Sequence, residues 1–301
     1  MSRLHIRPGA PTWPSELDEI DGAPPELWIE GRSELLARKP RFAIVGTRSP
    51  SPYGEAQAHR FASSLAAAGA VIISGLARGI DQAAHRGALD AGGATIAVLA
   101  SGVDRPWPDG ELTRRMAREG ALLSELAPGV APRKHAFPRR NRLISGLARG
   151  VLVVEAAWSS GSLITAHWAA DQGRSVYALP GRVDHPMARG CHRILREGAQ
   201  LVEAPEEILR ELGLEPPAPS AEPESLDWDD GPYRLSKLQT RLLGALTGET
   251  LSADELGLRV ELDLSEVLTA LVELELMGLA ARGPGGLYRR CGLAKGPSGP
   301  N

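Results

Sequence analysis

The sequence predicts an α/β protein in two parts, an open parallel sheet followed by a small winged helix. Three observations carry this prediction. Short continuous runs of Val, Ile, Leu and Ala recur between helical patterns from Phe42 onward. Several of these runs end in glycine or polar residues. The last quarter of the chain holds three helical patterns and then a hairpin.

The runs lie at residues 42–46, 71–75, 94–99, 151–155 and 175–179. Uninterrupted apolar residues without polar alternation mark strands buried on both faces, and helices between them give an open parallel sheet. In such sheets a ligand crevice lies outside the carboxyl ends of the strands. Here those ends read Gly46-Thr47-Arg48, Gly75-Leu76-Ala77-Arg78-Gly79, Ala157-Trp158-Ser159-Ser160-Gly161-Ser162 and Pro180-Gly181-Arg182. One rim is thus expected to collect glycines, hydroxyls and arginines, among them Gly75 and Arg78. Trp158 and Trp168 read as core packing ahead of base-stacking platforms.

The first domain is expected to span residues 1–212. Residues 213–233 mix Pro, Ser and acids without periodicity, the composition of a linker. A second domain, 234–291, follows, and residues 292–301 read as a disordered tail. Its helical patterns cover 236–247, 252–259 and 263–277, and a hairpin with a glycine-rich turn covers 280–290. Ser252 and Glu255 form a capping box that fixes the second helix start. The third helix, which would enter a DNA groove, carries Asp263, Glu266, Glu273 and Glu275 and no Lys or Arg. Phosphate would repel it, so a protein-contact or packing role is expected there.

With 301 residues, 43% of them hydrophobic, the chain has enough material for about two cores. Its net charge of -3 argues against a polyanion binder that uses its whole surface. Cys191 and Cys291 are the only cysteines and offer neither a disulfide framework nor zinc-ligand spacing. No signal-peptide core and no apolar run of membrane-spanning length occurs. The expectation is a cytoplasmic protein.

The charge is unevenly placed. No Asp or Glu lies between Glu125 and Glu155, whereas Arg133, Lys134, Arg139, Arg140, Arg142 and Arg149 all do. Such a run is either a solvated face or a polyanion site. Arg139, Arg140 and Arg142 cannot all be buried unpaired, because each buried charge costs several kcal/mol. Asn141, set among them, has donors and an acceptor suited to base edges.

Residues 46–54 join a strand to a helix, where glycine and a helix N-terminus favour an anion. The segment lacks the remaining glycines of a dinucleotide fingerprint, and no Gly-Lys-Ser/Thr occurs anywhere in the chain. Nicotinamide cofactors and P-loop ATP hydrolysis are therefore not expected, and no cofactor is assigned. Arg48 either meets an anion or pairs with a carboxylate such as Asp81, which itself also suits a helix cap. Asp81 and His85 at i, i+4 lack a third ligand, so no metal is expected. Residues 160–165 repeat the strand, glycine and helix arrangement, with Gly161 and Ser162 offered to phosphate or to a plain N-cap. No serine is placed in a nucleophile elbow or triad order.

These residues resemble the DNA-processing protein A family. The matching segments are Ala43-Ile44-Val45-Gly46-Thr47-Arg48, Tyr53-Gly54, Ser74-Gly75-Leu76-Ala77-Arg78-Gly79-Ile80-Asp81, and Phe137-Pro138-Arg139-Arg140-Asn141-Arg142-Leu143-Ile144-Ser145-Gly146-Leu147. Val154-Glu155-Ala156, Ser160-Gly161-Ser162-Leu163-Ile164-Thr165-Ala166 and Ala178-Leu179-Pro180-Gly181 complete the set. The C-terminal part resembles that family's winged helix at Glu273-Leu274-Glu275-Leu276-Met277-Gly278-Leu279. The resemblance implies an extended Rossmann-like domain that binds single-stranded DNA without catalysis, protects incoming DNA in natural transformation and loads a RecA-type recombinase. It implies contacts from Arg48, Arg140, Asn141 and Arg142, a base site shaped by Phe137, and backbone at Gly161 facing phosphate. Lys134, Arg139 and Ser162 complete the expected DNA-binding set with Gly75 and Arg78. A homodimer through the Rossmann-like domain is also implied. Two departures stand out. The family's small N-terminal helical domain is expected to be absent, since Trp13-Pro14 already resembles the segment just before the Rossmann core, and the family's Ser-x-Gly-x-Asn element is replaced by Ala188-Arg189-Gly190-Cys191-His192. Arg189, Arg193 and Arg196 can nevertheless widen the basic surface. Two rival readings are a phosphoribohydrolase acting on nucleoside monophosphates, whose glutamate position holds Trp168 here, and a duplex-binding regulator.

Overall fold

The computed structural model describes residues 3–216, 235–247 and 249–291. The chain divides into two compact units, 1–218 and 219–301. The expected linker at 213–233, apart from its first four residues, and the expected tail at 292–301 lie outside the described residues.

In the first unit the strands are β1 (Arg3–Ile6), β2 (Leu27–Gly31), β3 (Arg41–Val45), β4 (Val71–Ser74), β5 (Ala94–Val98), β6 (Ala121–Ser124), β7 (Gly150–Val153), β8 (Ser175–Ala178) and β9 (Gln200–Leu201). They form one sheet in the order β1-β2-β6-β5-β4-β3-β7-β8-β9. The seven strands from β6 to β9 pair in parallel, and β2 pairs antiparallel with both β1 and β6. The five apolar runs are β3, β4, β5, β7 and β8. Of the four remaining strands, β1 and β9 form the two edges of the sheet, while β2 and β6 lie inside it.

Period-two geometry sends alternate residues of each strand to opposite faces. Ala43, Val45, Val71, Ile73, Val151 and Val153 join one core, and Phe42, Ile44, Ile72, Leu152 and Val154 join the other. Helices α1 (Pro52–Ala67), α2 (Ile80–Asp90) and α7 (Pro205–Leu212) cover the second face. Helices α4 (Ala136–Leu147), α5 (Ser162–Asp171) and α6 (Arg189–Arg196) cover the first. Helix α3 (Glu111–Glu119) packs beside β2 and β6.

The order of the strands decides where a crevice forms. From β3 the chain proceeds to β4 on one side, while β7, on the other side of β3, leads to β8. Connections diverge at β3 and β7, so the loops leaving those two strands part and leave a gap beyond their carboxyl ends.

The second unit contains α8 (Lys237–Ala245), β10 (Thr250–Ser252), α9 (Ala253–Val260), α10 (Leu264–Leu276), β11 (Ala280–Arg282) and β12 (Leu287–Arg290). Three helices and a sheet ordered β10-β12-β11 enclose Leu242, Leu243, Leu256, Val267, Leu271, Leu274 and Tyr288. This is a winged helix, with β10 added to the expected hairpin. The capping box at Ser252 is present: its hydroxyl accepts from Glu255 N, and Glu255 accepts from Ser252 N. Helix α10 turns Leu264, Leu268, Val272 and Leu276 toward solvent, one residue per turn. Glu273 and Glu275 are engaged within the unit, by Gln239 and by the backbone N–H of Arg282.

Candidate nucleic-acid interface

A crevice with a cavity of about 680 Å³ opens at the divergence point, lined by residues 45–49 at the end of β3, by Ala157 and residues 159–162 leading into α5, and by one face of α4. The arginine-rich segment is helical. Pro138 sits in the first turn of α4, where its missing N–H and fixed φ are tolerated. Helical spacing then divides the segment between two faces. Phe137, Arg140, Asn141 and Ile144 line the crevice. Arg139 and Arg142 turn the other way, toward Glu125.

Arg140 is 5% exposed. Its Nη1 donates to the Val98 carbonyl, and its charge faces the buried Asp81. Burial lowers its pKa to about 10, with Asp81 opposing that shift and Arg48 adding to it, so it stays cationic at neutral pH. Its Nε–H is buried without a hydrogen-bond partner. Asp81, in turn, accepts from the backbone N–H groups of Gly75 and Ala77 at 3.1 and 3.4 Å. Burial pushes its pKa up, countered by Arg140 and these donors. Asp81 therefore fastens the β4–α2 loop instead of capping α2, and it holds that loop with Leu76 at a φ of 61°. A Cβ at Gly75 would strike Arg140 Nη1, so this glycine makes room for the guanidinium.

Arg48 is exposed and lies over the Phe137 ring, 5.4 Å from its centroid. Its loop is anchored by Glu155, a residue of the β7–α5 connection. The Glu155 carbonyl accepts from Thr47 N at 2.7 Å, and its carboxylate accepts from Ser51 N at 2.9 Å and Ser51 Oγ at 2.5 Å. Gly54 is required because a Cβ there would clash with that carboxylate.

The helix N-termini of α4 and α5 both border the crevice and bring partial positive charge to it. Gly161 has ordinary helical dihedrals, φ -63° and ψ -18°, and a Cβ there would meet open space. Folding does not require glycine at this position, whereas close approach of a ligand to backbone does. Asn141 Nδ2 reaches the Gly161 carbonyl at 3.3 Å, and the Ser160 and Ser162 hydroxyls are 2.8 Å apart.

The first 213 residues match one family model almost throughout. Residues 5–213 match the model described as DNA recombination-mediator protein A, and residues 215–286 match the DprA winged helix domain. The chain belongs to this family. It is similar to Protein Smf of Escherichia coli, 43% identical over 92% of this chain and 75% of that protein. The DNA processing protein DprA of Streptococcus pneumoniae is 43% identical over 66% of this chain and 71% of its own. The solved structure of the S. pneumoniae protein aligns with a TM-score of 0.67 at 40% identity, covering 70% of this chain and 75% of that one. DNA processing protein A from Helicobacter pylori, described as having a single-stranded DNA binding mode, aligns with a TM-score of 0.64 at 29% identity, covering 70% and 96%.

The fold brings together Arg48, Lys134, Phe137, Arg140, Asn141, Gly161 and Ser162 around the crevice. Four other expected site residues lie apart from its lining. Arg78 and Arg139 are exposed elsewhere, and Gly75 lies beneath Arg140. Arg142, 4% exposed, is corrected from a DNA contact to a structural residue. Its guanidinium is held by Glu125 at 2.9 and 2.6 Å and by the carbonyls of Gly22 and Arg139 at 3.0 Å. Four of its five N–H donors are thus spent within the fold, and its charge is answered by Glu125, so it is turned away from the crevice. A second correction concerns Trp158, which is 53% exposed instead of buried in the core, while Trp168 is half-buried. Sequence reasoning missed Glu155 as the anchor of the Arg48 loop. Its position at the end of a buried apolar strand was the available signal.

Among the described residues no helix is long and apolar enough to cross a membrane, and no group of three or more metal-ligating side chains occurs.

Proposed function

We propose that this chain is a single-stranded DNA-binding protein of DNA processing in natural transformation, and that the strand bends through the crevice beyond β3 and β7. The observation that carries this reading is the buried Arg140, cationic, with an unpartnered Nε–H, in a crevice that also holds Arg48, Lys134 and the backbone at Gly161. Phosphate suits Arg48, Lys134 and the backbone at Gly161, with the buried Arg140 adding its charge from beneath, and Phe137 adds an aromatic edge for a base. The H. pylori relative supports single-stranded DNA as the ligand. The role assigned is binding without catalysis, in the cytoplasm, by a homodimer that hands the strand to a RecA-type recombinase.

The reading is tested by fluorescence anisotropy of a labelled oligothymidylate and its duplex across a salt series. The single strand is expected to bind more tightly, with steep salt dependence. Arg48→Ala is expected to weaken binding and to reduce the log-log salt slope by about 0.7, the share of one single-strand phosphate contact. An unchanged slope and affinity in a folded Arg48→Ala protein would remove Arg48 from the site. Absence of binding at low salt would overturn the reading, and release of free base from nucleoside monophosphates would replace it with an enzyme.

A further inference from the structure

The crevice ends at an aromatic residue that the fold leaves uncovered. Ala157 and Ser159 line the crevice, and Trp158 between them is 53% exposed. Leaving so much of an indole in water forfeits burial that large aromatics ordinarily obtain. The ring is nonetheless held. Arg193 lies 5.4 Å from its centroid, and Arg193 Nε donates to Glu197 Oε1 at 2.8 Å.

Arg193 belongs to α6, whose first turn abuts the crevice wall. Gly190 N donates to the Ala156 carbonyl at 2.8 Å, and a Cβ at Gly190 would strike the carbonyls of Ala156 and Ala157 at 2.6 Å. Arg189, Arg193 and Arg196 stand at i, i+4 and i+7, which places them along one side of α6. Arg189 and Arg196 are exposed, and neither forms an ion pair among the described residues. An exposed indole fixed by a guanidinium, continued by a row of arginines, is the arrangement that binds unpaired nucleotides by stacking and backbone neutralisation.

We infer that Trp158 is a base-stacking platform and that the arginine side of α6 extends the nucleic-acid track beyond the crevice. This inference rests on the single-stranded DNA reading of the crevice. It commits the bound strand to one direction of exit, over the β7–α5 connection and along α6. The segment from Ala188 to His192, where the family's usual element is replaced, thereby supplies a basic helix in place of the missing contacts.

The test compares an oligothymidylate of about 6 nucleotides with one of about 15, in the parent, Trp158→Ala, Trp158→Phe and Arg193→Ala proteins. Trp158→Ala is expected to weaken the longer strand about tenfold and the shorter strand much less. Trp158→Phe, which keeps a π-face, is expected to recover most of that loss. Tryptophan emission of the parent is expected to fall on adding the longer strand, by more than that of Trp158→Phe. Arg193→Ala is expected to flatten the salt slope for the longer strand only. If Trp158→Ala binds both lengths as the parent does, the platform is overturned while the crevice reading stands. If the parent binds neither length, both fall together.

Discussion

At the residue scale, the arginine run shows how one stretch of like charge is divided between jobs. Arg140 and Arg142 are both buried, two positions apart, yet Arg140 lines the crevice together with Asp81 while Arg142 turns away from it to Glu125. Removing one partner of a buried ion pair strands the other charge, so Arg142→Ala is expected to cost about 3–5 kcal/mol of stability, read from the urea-denaturation midpoint. Replacing Glu125 and Arg142 together by apolar residues is expected to recover much of that loss. A buried histidine supplies a second prediction. His85 Nδ1 lies 2.7 Å from Thr95 Oγ1, and burial, aided by the Arg140 charge, lowers its pKa from the ordinary 6.5 to about 3. The folded protein keeps this imidazole neutral, whereas the unfolded chain protonates it. Its contribution is therefore complete above pH 6.5 and declines as pH falls toward 3, by about 1.4 kcal/mol per pH unit. Denaturation midpoints between pH 7 and about 5 are expected to fall in the parent, and less steeply in His85→Gln.

At the element scale, the crevice is a product of loops held from below. Glu155 fastens the loop carrying Arg48, and Asp81 fastens the loop beneath Arg140. The start of α5 differs, because nothing in the fold requires Gly161. Gly161→Ala is thus expected to leave stability within about 0.5 kcal/mol or raise it, since helical dihedrals suit alanine. Its expected effect is on binding, where the added methyl keeps phosphate from the α5 N-terminus. Weaker oligonucleotide binding with an unchanged melting temperature is the outcome that separates a ligand-facing glycine from a structural one. Helix α10 illustrates the opposite case. Two of its acids, expected to repel DNA, serve Gln239 and the Arg282 backbone, and its outward side is a row of Leu and Val.

At the scale of the whole molecule, a net charge of -3 coexists with a crevice whose exposed charges, Arg48 and Lys134, are positive. Local placement governs the encounter with a polyanion more than the total does. Single-stranded DNA is expected to be preferred over duplex at every salt concentration, because a bent strand fits a crevice that a rigid duplex cannot enter. The winged helix offers the duplex an apolar and acidic recognition helix, so its presence does not reverse that preference. Anisotropy measured with both DNA forms at matched salt checks the expectation.

How much was legible in the sequence follows from the range of the forces involved. Buried parallel strands must be continuously apolar, so β3, β4, β5, β7 and β8 could be read directly, and capping chemistry fixed the start of α9. The edge strands β1 and β9 and their inner neighbours β2 and β6 were not read as strands from the sequence. The polar rim could also be read, because glycines and arginines at strand ends are local. What the sequence by itself determined was therefore the class of fold, the side of the sheet that carries the site, and the chemical character of that site. Only the tertiary structure decided which arginine faces the ligand. Helical phase separates Arg140 from Arg142, and the carboxylates of Asp81 and Glu125 that answer them come from elsewhere in the chain. A charge is free or spent according to what folding brings within a few ångströms of it, and that distance is not encoded in neighbouring residues.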